Sequence, residues 1–208
     1  MKAFKSSFWS TTLFIVLLTI LHFVEPEIEP TWRFISEYAL GKYGILMSVA
    51  FIAWALAYLF LFFGLRKKIV SAIGKIGLTL LIISAIGLLI AGLFITDPAT
   101  AEVKTTSGKL HAIGGTLGMA MPFASLFIGI ALYKKAELQS NKRKVLWATV
   151  FAFIGFLVSA ISLGYLFSQS NGKVNPDVWV GIPTRLEVLA YCVWLIVISQ
   201  QQYQIEKK

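Results

Sequence analysis

Five stretches of this chain run uninterrupted by Asp, Glu, Lys or Arg: Phe8 to Val24, Tyr43 to Leu65, Ile76 to Thr96, Leu110 to Tyr133, and Val145 to Phe167. A helix crossing the hydrocarbon core of a bilayer needs about 20 predominantly apolar residues, so each stretch has spanning length or close to it. A sixth, Val188 to about Ser199, is too short unless its helix begins near Thr184, which draws Arg185 and Glu187 to the membrane boundary. The expected spans are therefore about 8–24, 43–65, 76–96, 110–133, 145–167 and 184–202. They make an all-α bundle of six transmembrane helices that forms one domain over residues 1–208. A content of 57% apolar and 14% charged residues excludes a disordered chain and leaves no ordinary soluble globule able to hide the apolar surface. The single cysteine, Cys192, excludes an internal disulfide and a cysteine-based metal cluster.

The charges fall into two sets. Thirteen of the 19 basic residues lie in the N-terminal segment, the 65–75 and 134–144 loops and the C-terminal tail, while the other three loops hold eight of the ten acids. The positive-inside rule then places both termini in the cytoplasm, and the bundle is expected in the cell membrane, as a cell inner membrane protein. The net charge of +9 is an orientation signal, and nucleic acid binding is dismissed. Lys2 and Lys5 before an apolar run resemble a secretory signal, but His22-Phe23-Val24-Glu25-Pro26 offers no small-x-small cleavage site, so the first helix is expected to be retained.

Polar residues gather at one set of span ends, where ionisable groups are costly and mark function. His22 lies near the end of span one, Arg33, Ser36 and Glu37 precede span two, Asp97 closes span three, His111 opens span four and Arg185 opens span six. Simpler roles compete. Asp97-Pro98 fits an N-cap before a short helix, and the Glu25, Glu27, Glu29 run fits a solvated loop. Thr184 and Glu187 have capping-box spacing, which accounts for Glu187 and leaves it out of the site. Ser107 is the expected cap of span four. His111, Gly115, Gly118 and Pro122 share one stripe of that span, so the histidine should face protein, with a kink at Pro122. Trp9, Trp32, Tyr38, Tyr43, Tyr133, Trp147, Tyr165, Trp179 and Tyr203 read as interfacial belts.

Three segments carry a resemblance: Phe34-Ile35-Ser36-Glu37-Tyr38; Phe94-Ile95-Thr96-Asp97-Pro98 with Gly108-Lys109-Leu110-His111; and Gly181-Ile182-Pro183-Thr184-Arg185 with Trp194. Together they resemble the six-span prokaryotic membrane proteins grouped as the domain of unknown function 998 family, over nearly the whole chain. The resemblance implies that Ser36, Glu37, Asp97, His111 and Arg185 are signature positions. It implies no reaction. Tyr38-Ala39 stands where Leu-Gly is more usual, a change expected to affect packing.

The leading functional expectation is a membrane-embedded enzyme acting on a lipid-like or isoprenoid-like substrate. Glu37, Asp97, His111 and Arg185 are its catalytic candidates, and Ser36 and Arg185 its substrate-binding ones. A metal-assisted version would draw ligands from His22, His111, Glu37 and Asp97. With two histidines in the chain, the three-histidine pattern of the alkaline-ceramidase-like hydrolases is not met. The alternatives are a small-molecule or lipid binding or transport protein without catalysis, and a haem protein ligated through His22 and His111. The sequence assigns no cofactor. Membrane lipid is the expected partner.

Overall fold

The computed structural model describes residues 1–134 and 142–207, so Lys135 and Lys208 of the basic set lie outside the described residues. Among the described residues there are seven α-helices and one 3-10 helix: α1 (Lys2–Val24), the 3-10 helix (Ile35–Leu40), α2 (Ile45–Leu65), α3 (Ala72–Leu93), α4 (Thr106–Gly118), α5 (Met121–Tyr133), α6 (Lys142–Gln169) and α7 (Gly181–Lys207). Six helical segments are long and apolar enough to cross a membrane, with α4 and α5 together forming the fourth. A chain without water around it must satisfy every backbone group internally, and helices do so within one segment. The molecule is thus an all-helical multi-pass membrane protein. The first span begins earlier than the charge gap suggests, and the sixth extends to Lys207, because lysines at helix ends can reach out of the hydrocarbon.

The spans close into a ring. α1 packs on α2, α2 on α3, α3 on both α4 and α5, α5 on α6, α6 on α7, and α7 back on α1. Chain ends meet at one end of this ring, where the Met1 ammonium pairs with Glu206 and Lys68 Nζ lies 3.1 Å from the same carboxylate. That end is called proximal below, and the opposite one distal.

The fourth span breaks where glycine and proline predict. Pro122 has no N–H to return to the Gly118 carbonyl, and the chain tightens over Met119 and Ala120, whose amides reach Thr116 O and Leu117 O. α4 and α5 are therefore two helices within one span. α5 packs on α3 and α6, whereas α4 packs on α3 and, among the described residues, makes no comparable contact with α6 or α7. The ring is closed in its proximal half and parted in its distal half.

Gly87 and Gly114 set how closely α4 lies on α3. A Cβ on Gly87 would stand 2.5 Å from Gly114 O, and one on Gly114 would stand 2.6 Å from Gly87 O. Gly115 and Gly118 behave differently from the packing expected of them. A Cβ on Gly115 meets nothing within 4 Å, and one on Gly118 meets only Leu88, at 3.8 Å. They border open space.

Candidate functional site

Glu37, on the 3-10 helix, is a staple at the distal rim. It is buried, its Oε2 accepts from the Phe34 amide at 2.9 Å, its Oε1 accepts from the Ala99 amide at 2.9 Å, and Arg33 Nε lies 3.1 Å from Oε1. One side chain thereby ties the loop before α2 to the loop after α3. Asp97 ties that second loop to itself. Its Oδ2 accepts from the Thr105 amide and its Oδ1 from the Thr105 hydroxyl, both at 2.8 Å, while Thr105 Oγ1 accepts from Gly108 N at 3.0 Å. Thr105, not Ser107, caps α4, and residues 97–105 form no helix. Asp97 holds the capping threonine, a role its proline neighbour did not reveal. Ser107 instead donates to Ile95 O at 2.8 Å.

Arg185 closes the rim from α7. Its Nε donates to His22 Nε2 at 3.0 Å, and NH1 donates to Arg33 O at 2.7 Å and Gly181 O at 3.1 Å. His22 Nδ1 lies 2.7 Å from Leu18 O and must carry the proton there, leaving Nε2 as the acceptor that Arg185 uses. The Arg185 guanidinium also lies over the Tyr38 ring, 5.8 Å from its centroid. Tyr38 is fully buried, so it belongs to this cluster and not to an interfacial belt. Burial pushes its phenol above the ordinary tyrosine value, and the neighbouring Arg185 works the other way.

Glu25 departs from the expected solvated loop. It is buried against Gly41, and its Oε1 accepts from the Tyr43 amide at the entry to α2. Burial works to raise its pKa. The Tyr43 and Lys42 backbone amides and the Lys42 charge work the other way, and the carboxyl is held below its ordinary value.

Behind this rim the parted ring leaves a cavity of about 240 Å³ between α4 and α7. Phe51, Trp54 and Tyr58 of α2 and Leu88 and Ala91 of α3 form its back, His111, Gly115, Gly118 and Met119 one wall, and Glu187, Val188 and Tyr191 the other. Phe34, Ile35 and Ser36 cover it distally. His111 Nδ1 sits 2.9 Å from Phe94 O and 3.0 Å from Ala91 O. Two carbonyl acceptors fix the proton on Nδ1, and Nε2, with no hydrogen bond among the described residues, is left as the group His111 brings to the cavity. The expectation that His111 faces protein holds. A neighbouring chamber of about 310 Å³, lined by Glu37, Asp97, Lys104 and Lys109, shares Phe34 and Ser36 with the first and lies toward the rim. Another space, between α5 and α6, is lined by apolar side chains, with Thr149 and Lys134 its polar members.

Glu187 is the residue that sequence reasoning set aside. α7 starts at Gly181, so Thr184 is already inside the helix and its hydroxyl donates to Val180 O and Gly181 O, both at 3.0 Å. No capping box forms. Glu187 instead accepts from the Tyr191 hydroxyl one turn along, with Ser159 of α6 beside it, and it lines the cavity. Its spacing to Tyr191, four residues on, is the signal that could have placed both on one helical face.

The structure thus brings Ser36 and His111 to one cavity and adds Glu187 and Tyr191, while Glu37 and Asp97 line the outer chamber and Arg185 with His22 lines neither. His22, His111, Glu37 and Asp97 do not converge: among the described residues no three His, Cys, Asp or Glu side chains are grouped to hold a metal ion. A family model described as "Protein of unknown function (DUF998)" matches residues 10–200. No curated protein and no solved structure matches the chain.

Proposed function

The chain belongs to the DUF998 family of proteins of unknown function, and from that premise we propose that it is a membrane-embedded enzyme that admits a lipid-like amphiphile sideways from the bilayer. The observation carrying this reading is the parting of α4 from α6 and α7 in the distal half of the ring, beside a largely apolar cavity into which His111, Glu187 and Ser36 bring polar groups. An apolar chain would lie along Leu88, Met119 and Val188 and leave through the gap, with its polar end held inside.

His111 and Glu187 serve as the proton-transferring pair. Counted along their helices, each lies about 7–9 Å in from its helix start, so they occupy similar depths on facing walls. The Nε2 lone pair of His111 accepts a proton, Glu187 gives or takes one from the other side, and Tyr191 orients Glu187. Ser36 contributes a hydroxyl at the mouth between the two chambers. Glu37, Asp97 and Arg185 act by holding the rim, since the carboxylate oxygens and the Arg185 Nε and NH1 already bind backbone amides, backbone carbonyls, Thr105 and His22. A haem ligated by both histidines needs both Nε2 atoms, and that of His22 is engaged by Arg185.

The test compares lipids that copurify with the wild-type protein and with Gly115→Leu, whose side chain enters space that holds no atom within 4 Å of its Cβ. Mass spectrometry of the extracts should find an amphiphile enriched on the wild type and depleted at least tenfold on the folded variant. Identical profiles would overturn the reading. A binding role without turnover uses the same cavity; it is separated by His111→Gln, which would then keep the amphiphile unchanged while no product of it ever accumulates on the wild type.

A further inference from the structure

The chemical character of the α4–α7 cavity narrows the class of molecule it accepts. Among the described residues, Glu187 is the one carboxyl on its wall, and neither Lys nor Arg lines the cavity. No cation lies within ion-pair distance of Glu187 among the described residues, whose salt bridges all involve Glu37 or Glu206. The basic side chains nearest by position, Arg185 and Arg33, are turned to His22, to backbone carbonyls and to Glu37. A carboxyl drawn into the membrane without a counter-ion needs either a proton or a cation.

Around that acid the rings are dense. Phe34, Phe51, Trp54, Tyr58 and Tyr191 all face the same space, and Trp54 and Tyr58 meet edge to face with centroids 5.8 Å apart. Aromatic faces present negative charge and attract a desolvated ammonium group, most strongly when an acid stands beside them. His111 adds to this. Its Nδ1 proton is directed away to Ala91 and Phe94, so the ring offers the cavity an acceptor.

We infer that the polar end of the amphiphile is cationic, an amine or quaternary ammonium group seated between Glu187 and the aromatic rings, with its apolar chain passing out between α4 and α7. This rests on the cavity being the site proposed above. An anionic head group finds its lysines, Lys104 and Lys109, only in the outer chamber, where Glu37 and Asp97 also line the wall.

Three probes with the same ten-carbon chain separate head-group charge from chain length: decyltrimethylammonium, decanol and decanoate. They are added below micelle-forming levels to the full chain in a neutral maltoside detergent, and binding is read from the shift in thermal unfolding midpoint. The wild type should bind the cation at least tenfold more tightly than the alcohol or the acid. Glu187→Gln should bring the cation down to the affinity of the alcohol, and Gly115→Leu should remove all three shifts. Equal or tighter binding of decanol or decanoate by the wild type overturns the cationic assignment and leaves the cavity standing, a result that needs no variant to fold. Unchanged shifts in Gly115→Leu would remove the cavity itself and the function proposed for it.

Discussion

At the scale of the residue, the acids of this chain divide by what their oxygens already hold. Glu25, Glu37 and Asp97 accept backbone amides and knit loops at the distal end, whereas Glu187 faces a cavity with a tyrosine as its main partner. The knitting acids carry a pH consequence. Glu25 has a folded pKa below its ordinary value of 4.5, so between the two values the unfolded chain binds the extra proton. Its contribution to stability is present above pH 4.5 and is lost as the pH falls through the folded value. Thermal unfolding in detergent at stepped pH should show a midpoint that declines below pH 4.5, and Glu25→Gln should flatten part of that decline while lowering the midpoint at neutral pH. An acid limb identical in the variant would show that Glu25 is not its source. The same division shows how carboxylates alike in type and in nearness to a span end come to hold different partners. Residue type and depth were visible in the sequence, and the partner atoms were not.

At the scale of the element, the decisive feature is a helix broken so that its two halves take different neighbours. Gly114 and Gly115 are adjacent in sequence and opposite in consequence. Alanine at 114 places a Cβ 2.6 Å from Gly87 O, backbone that cannot swing aside, and the overpacking should cost about 1–3 kcal/mol. Alanine at 115 meets nothing and should stabilise by roughly 0.5–1 kcal/mol through helix propensity alone. Unfolding midpoints of the two variants should therefore move in opposite directions. If both fell together, the separation of a packed face from an open one would be wrong. The spans themselves were legible from gaps between charges, because in a bilayer length and apolarity leave the backbone no alternative to a helix. The kink at Pro122 was legible too, since a missing N–H acts locally. The assignment of glycines to faces failed because it was drawn from spacing on one helix, while the face that packs depends on where α3 lies. The capping box at Thr184 failed for a related reason. Thr31 O receives the Gly181 amide at 2.9 Å and lets α7 begin three residues early, a contact between segments far apart in sequence.

At the scale of the whole molecule, the cavity, the knitted loops and the acids share one end of the ring, and the basic side chains crowd the other. Lys2, Lys5, Arg66, Lys67, Lys68, Lys75, Lys142, Arg143, Lys144 and Lys207 flank the proximal ends of the spans, against Glu25, Glu27, Glu29, Glu37, Asp97, Glu102 and Asp177 in the distal loops. Short loops rich in Lys and Arg resist translocation, and each proximal segment carries the same bias, so the proximal end is expected to stay in the cytoplasm. The side of the membrane matters to function, because it decides which leaflet feeds the gap between α4 and α7. With the proximal end inside, the amphiphile comes from the outer leaflet, and the rim chamber opens to the outside. Cysteine labelling can decide this on the full chain, since Cys192 is 1% exposed and gives little background. Lys173 and Lys67 are exposed in a distal and a proximal loop, respectively. A membrane-impermeant maleimide should label Lys173→Cys in intact cells and Lys67→Cys only after permeabilisation. The reverse pattern would turn the bundle over, place the cavity in the cytoplasmic leaflet, and show that the Lys and Arg bias does not set the orientation of this chain.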